Sequence, residues 1–143
     1  MARVVDLGTG SGIKTTQFFD QSQHEIVQVD FRDARSQTDG LKVPFIELDF
    51  STAQGTSKLK KLFEDPKPTL FLLADVIEHL RDPRPLLRSL RWLLRRNEKN
   101  RLVISTPDRE RVDGRDSEAR PDNPRHFRQW TANELAWLFA LPV

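Results

Sequence analysis

Short apolar runs alternate along this chain with longer amphipathic stretches. The runs cover residues 3–7, 25–30, 43–48, 69–74 and 101–105, and the longer stretches cover 11–20, 52–64, 83–96 and 131–139, with a short turn near 32–36. Apolar runs of this length, polar at few positions, suit strands buried on both faces, and strands of that kind occur in parallel sheets joined by right-handed helical crossovers. The pattern therefore predicts an α/β fold with a doubly wound, mostly parallel sheet of five strands. The helix over 83–96 is the clearest element: Leu86, Leu87, Leu90, Leu93 and Leu94 recur at helical spacing, with Arg88, Arg91, Arg95 and Arg96 between them. Residues 107–124 lack periodicity and are rich in Pro, Asp, Arg and Gly, which predicts a long loop before the last helix.

A chain of 143 residues fits one domain, here residues 1–143, and no repeat or compositional break divides it. The apolar runs are far shorter than the ~20 residues of a membrane-spanning helix, so no membrane association is expected. Met1 leads straight into a strand pattern, so no leader is expected either, and with no cysteine the composition suits a reducing, cytoplasmic setting. The absence of cysteine also restricts any metal to oxygen and nitrogen ligands. Arginines crowd the stretch from Arg81 to Arg128, yet 23 Lys and Arg face 21 Asp and Glu. That near balance favours a solvated basic helix face over a nucleic-acid surface.

The chemistry begins at Val4-Val5-Asp6-Leu7-Gly8-Thr9-Gly10-Ser11-Gly12, a strand running into a glycine-rich turn before a helix. Glycines there let the main chain approach a ligand closely, and the helix start offers unpaired N–H groups, so a nucleotide-type ligand is expected. The second strand ends in Asp30, at the distance from the loop where a ribose-binding carboxylate belongs. Capping of the following turn is its alternative role. A dinucleotide pattern would place Gly or Ala at the sixth position of the turn, where this chain has Ile13.

These residues resemble the first motif of the class I S-adenosylmethionine-dependent methyltransferases, which have a Rossmann-like core. The resemblance implies that Asp6, Gly8, Thr9, Gly10 and Gly12 form the loop for the methionine part of S-adenosylmethionine, with Asp30 for its ribose and Phe31 also contacting the cofactor. Asp49 and Phe50 then stand where the family contacts adenine. The bland alternative is that Asp49 ends a strand and Ser51 caps the next helix. The stretch from Ala74 to Pro83 is similar to a segment of the ubiquinone-pathway O-methyltransferases that borders cofactor and acceptor. Within it Asp75, Glu78 and His79 are spaced i, i+3, i+4, which on a helical turn gathers them on one face.

His126, just before an aromatic-Thr helix start, extends the likeness to the small-RNA 3′-end 2′-O-methyltransferases. That likeness implies a divalent metal held by Asp75, Glu78, His79 and His126, although Asp75 occupies the place of a longer acid. A mixed O/N donor set suits Mg, Mn, Fe, Co or Zn and would polarise an acceptor hydroxyl. Glu78, His79 and His126 are the candidates to assist deprotonation. Packing roles are the alternatives, for His126 against Trp130 in particular. The family extends further at both ends, so a core truncated at both ends is expected, with the fifth strand exposed as an edge that invites a homodimer.

The expected activity is methyl transfer to an oxygen of a small molecule, a sugar or an RNA ribose, with the small acceptor preferred because no dedicated RNA-binding segment stands out. The rivals are a cofactor-binding scaffold without turnover and, less favoured, an NAD-dependent oxidoreductase.

Overall fold

The run Arg3–Leu7 is buried at every position and becomes β1, the middle strand of the sheet. A computed structural model describes residues 1–35, 43–112, 121 and 123–140. Around β1 the chain forms α1 (Ile13–Phe18), β2 (Glu25–Asp30), β3 (Phe45–Glu47), α2 (Ala53–Leu62), β4 (Thr69–Ala74) and a single 3₁₀ turn (Ile77–His79). Then follow α3 (Arg84–Arg96), β5 (Arg101–Ser105), α4 (Arg109–Val112) and α5 (Ala132–Ala140). The strand order is β3-β2-β1-β4-β5 and every neighbouring pair is parallel. This is the doubly wound parallel sheet that the alternating runs predict, and the Rossmann-like core that the resemblance implies.

Alternate positions along the strands face opposite layers. Val5, Leu7, Val27, Val29, Phe71 and Leu73 join the main core with Leu86, Leu87, Leu90 and Leu93 of α3, Leu59 of α2 and Leu138 of α5. Val4 and Ile26 face the other side, where Val43, Phe19 and Leu72 complete a smaller core. At the outer edge β5 alternates exposed and half-buried residues, with Val103 exposed. Among the described residues no helix is long and apolar enough to cross a membrane.

Four strands follow the predicted boundaries, while the third shrinks to Phe45–Glu47 and α1 starts late, because the left-handed glycines occupy the positions before Ile13. The predicted loop holds the short helix α4, and Asp108 bridges to Trp130. Residues 113–120 and 122 of that loop, and residue 36 of the predicted turn, lie outside the described residues. The last helix opens with a capping box: the Thr131 hydroxyl accepts from Glu134 N (3.1 Å) while the Glu134 carboxylate accepts from Thr131 N (3.0 Å).

At the opposite end of the sheet, Arg3 donates to Glu25 (3.3 Å) and to Asp65 (2.8 Å), and Lys67 donates to the other Glu25 oxygen. The bond from Lys67 holds the Glu25 carboxyl below its ordinary range. A depressed folded-state value stabilises the fold above the unfolded value, and that contribution is lost as pH falls through the folded one. Wild type should therefore melt above Glu25→Gln at neutral pH, with the gap closing in acid. Thermal unfolding across a pH series checks this, and a gap that widens in acid would count against it.

Candidate functional site

β1 ends in a loop whose Gly8, Gly10 and Gly12 all take left-handed φ values of 80°, 54° and 76°. The main chain of this loop hangs on the end of β2: Gly8 N and Thr9 N donate to the Val29 carbonyl (2.7 and 3.3 Å), and Gly10 N donates to Asp30 Oδ2 (2.9 Å). Asp30 Oδ1 accepts from Phe31 N (2.7 Å), so the carboxylate fixes both the loop and its own turn. Asp6 works from beneath, its Oδ2 accepting from the hydroxyls of Thr9 (2.8 Å) and Thr15. The buried Gln28 donates to the Gly12 carbonyl (2.8 Å), and Arg35 braces Gln28 (3.3 Å) and the Val43 carbonyl (2.7 Å).

Two of the glycines do different things. A Cβ on Gly8 would lie 2.3 Å from Val76 Cγ2, so Gly8 is needed for the loop to pack against the exit of β4. A Cβ on Gly10 meets nothing within 4 Å, so open space stands in front of the loop where a ligand can reach the main chain. Phe31 is 58% exposed beside Asp30. Phe50 is buried in the main core, and Asp49 Oδ1 accepts from Ser51 N (2.8 Å) and Ser51 Oγ (2.6 Å). Ser51 is not the cap of α2; Thr52 is, accepting from Gly55 N (3.0 Å).

The second half of the site follows β4. Asp75 takes a left-handed φ of 55°, its N donates to the Ser105 carbonyl (2.9 Å), and its exposed carboxylate accepts from Ser105 Oγ (3.3 Å). Helical geometry starts only at Ile77, so the i, i+3, i+4 spacing does not bring Asp75 to the face that carries Glu78 and His79. His126 joins those two instead: one ligating atom from each of Glu78, His79 and His126 lies within 4.8 Å of the others. The His79 and His126 rings meet edge to face at 4.7 Å between centroids, whereas Trp130 carries the Arg128 guanidinium at 4.3 Å.

The hydrogen bonds define which atoms of this trio are free. Glu78 is fully buried, its Oε2 accepts from Thr106 Oγ1 (3.0 Å), and its Oε1 has no partner. His79 Nδ1 lies 3.1 Å from the Arg125 carbonyl. A carbonyl only accepts, so Nδ1 carries the proton and Nε2 keeps a bare lone pair in the neutral ring. Asn123 Oδ1 accepts from Arg125 N (3.0 Å), which turns its amide nitrogen to His126 Nε2 (3.1 Å) and leaves the buried His126 Nδ1 unpartnered. Phe127 N donates to the Glu78 carbonyl (2.7 Å), drawing the 123–127 segment over the turn. Thr106 and Asn123 carried no signal as site residues in the sequence.

A family model described as a methyltransferase domain matches residues 1–141. The chain belongs to that family. No curated protein sequence matches this methyltransferase domain significantly. Among solved structures it is similar to a SAM-dependent methyltransferase from Archaeoglobus fulgidus, at 18% identity and TM-score 0.66, covering 97% of this chain and 59% of that one. It is also similar to a SAM-dependent methyltransferase from Aquifex aeolicus (14% identity, TM-score 0.58, 97% and 70% covered). A short chain dehydrogenase family protein from Francisella tularensis follows at 15% identity and TM-score 0.50, with 89% and 56% covered. The chain thus spans 59% of the length of the first, and at these identities the likeness is one of fold.

In this domain Gly8→Ala should destabilise more than Gly10→Ala. Both incur the left-handed cost of ~1–2 kcal/mol, and Gly8→Ala adds an overpacking cost of ~1–3 kcal/mol against Val76. Urea unfolding of the two variants decides it, and equal losses would remove the Val76 contact from the account.

Proposed function

We propose that this methyltransferase domain binds S-adenosylmethionine against the loop of residues 8–12 and catalyses transfer of its methyl group to the oxygen of a hydroxyl acceptor. The observation that carries the reading is the open face at Gly10, held to the Asp30 carboxylate through Gly10 N. Each Asp30 oxygen retains accepting capacity for the ribose hydroxyls. Exposed Phe31 offers an apolar surface to the adenine, with Asp49 at the end of the next strand, while Asp6 acts by shaping the loop.

In the reaction the acceptor oxygen attacks the methyl carbon in line with the carbon–sulfur bond. That bond breaks, its electron pair stays on sulfur, and S-adenosylhomocysteine leaves. Alignment of the two substrates supplies most of the acceleration. His79 Nε2, the bare lone pair, takes the acceptor proton.

Glu78, His79 and His126 also fit a divalent cation, because buried Glu78 Oε1 and His126 Nδ1 lack partners within one mixed oxygen and nitrogen donor set. Such a cation would occupy the His79 Nε2 lone pair and, in place of proton transfer to that atom, would polarise the acceptor hydroxyl. Ligation through His126 Nδ1 requires the ring proton on Nε2 and the Asn123 amide turned to present its oxygen. Asp75, outside the trio, is left for the cofactor and acceptor side. The nicotinamide alternative is disfavoured by Ile13 at the sixth position of the turn.

Calorimetry with S-adenosylmethionine and S-adenosylhomocysteine tests the cofactor. Asp30→Ala should weaken binding by about 1–3 kcal/mol. Gly10→Val should abolish it with an unchanged far-UV spectrum. Heat with NAD but with neither sulfur compound would overturn the assignment.

Titration with Mg, Mn, Co and Zn tests the cation separately. His79→Ala, His126→Ala and Thr106→Val should each lower affinity about 10-fold or more, with cofactor binding retained. Wild-type affinity in both histidine variants would return the trio to a packing role.

A further inference from the structure

α2 and α3 pack side by side and between them carry Lys58, Lys60, Lys61, Arg84, Arg88, Arg91, Arg95 and Arg96, with no aspartate or glutamate on either helix. With 23 Lys and Arg and 21 Asp and Glu in the chain, setting these eight aside leaves 15 cations against 21 acids. The net charge of +2 thus conceals a basic face on an otherwise acidic molecule. Trp92, 38% exposed, ties the two helices at this face, with Lys60 Nζ 5.8 Å and the Arg96 guanidinium 5.2 Å from its ring. Arg84 pairs with Asp82 (2.8 Å), but among the described residues Lys58, Lys61, Arg88 and Arg95 form no ion pair.

Folding accounts for part of this pattern only. Lys60, Lys61, Arg95 and Arg96 lie in the last turns of their helices, where the helix dipole favours cations. Lys58 has no such reason, Arg88 adds only a longer-range attraction to Asp82, which Arg84 already pairs, and like charges three or four residues apart, as at Lys58 and Lys61 or Arg84 and Arg88, oppose the helix. We propose that the outer face of α2 and α3 is a docking surface for the phosphate backbone of a nucleic acid.

Three observations favour that partner. The cations of α3 run from Arg84 to Arg96, a stripe about 18 Å long at the helical rise. Five of the eight are arginines, whose planar fork suits phosphate. The leucines of α3 are consumed by the core, and on this face only Leu62 and Trp92 are exposed large apolar residues. A bilayer therefore has little to receive, and a protein partner would find charge where interfaces keep an apolar centre. The inference stands apart from the cofactor and acceptor assignments.

The test is fluorescence anisotropy with a labelled single-stranded RNA and a labelled DNA duplex of about 20 nucleotides or base pairs, enough to cover the stripe, in parallel with co-sedimentation on phosphatidylserine vesicles. The full chain should bind a polynucleotide and lose about 100-fold or more in affinity between about 50 and about 200 mM salt. Combined Lys58→Glu, Arg88→Glu and Arg95→Glu should bind at least about 10-fold more weakly and show a shallower salt slope, with far-UV spectrum and melting temperature kept. If that variant does not fold, Arg88→Gln with Arg95→Gln should show the same direction. The proposal is overturned by a wild type that binds neither polynucleotide, by a folded variant that binds as wild type does, or by binding confined to the vesicles.

Discussion

The hydrogen bond from Gly10 N to the Asp30 carboxylate is the constraint on which the site rests. A chain that turns through three left-handed residues cannot satisfy all its amides by regular pairing: Gly12 N finds the Thr9 carbonyl inside the loop, but Gly8 N, Thr9 N and Gly10 N need acceptors brought from elsewhere. The end of β2 supplies them, through the Val29 carbonyl and the Asp30 side chain. β2 can do so because it runs parallel to β1 in register from Arg3 and Glu25 to Leu7 and Val29, so both strands end at the same level. Gly8 then carries the constraint across to β4, because its missing side chain is the space that Val76 occupies. Val76 immediately precedes the turn that carries Glu78 and His79. The two halves of the site therefore share a floor, and displacement of one displaces the other.

The second half is built on a different tension. A carboxylate removed from water is costly unless its oxygens are hydrogen-bonded. Glu78 is fully buried with one hydroxyl on Oε2 and nothing on Oε1, and the buried Nδ1 of His126 is also unpaired. The surroundings spend their hydrogen bonds on orientation: the Arg125 carbonyl fixes the His79 proton, and the Asn123 amide fixes the His126 ring. Unpaired atoms on oriented side chains favour a ligand-binding role over simple packing.

What was legible in the sequence was whatever depends on near neighbours. Short apolar runs mark β1, β2, β4 and β5 to the residue, and three alternating glycines mark the loop. Pairings between distant segments left no trace. That Asp6 is absorbed by Thr9 and Thr15, or that Gln28 and Arg35 brace Gly12, follows from the register of the sheet and not from any spacing. Asp75 shows the converse risk, since i, i+3, i+4 spacing implies a shared face only if the helix has begun. Here a left-handed residue stands at that point, and His126, about fifty residues away in sequence, completes the cluster in its place.

Charge follows the same logic. Counted along the chain, cations and acids nearly cancel, and a solvated helix is the natural reading. The crossovers of a parallel sheet sort them: residues 58–61 come to lie beside 84–96, while Asp6, Asp30 and Glu78 gather at the carboxyl ends of the strands. Acids gathered at one end of a sheet attract cations and repel phosphate. The proposed cofactor carries a positive sulfonium and the proposed polyanion carries many negative charges, so the same field directs them to different surfaces. A nucleic acid held along α3 would be drawn to the helix exterior and resisted at the mouth of the site. A hydroxyl acceptor without charge meets neither effect, and its selection falls to the hydrogen-bonding groups that Asp75, His79 and His126 offer beyond the end of β4.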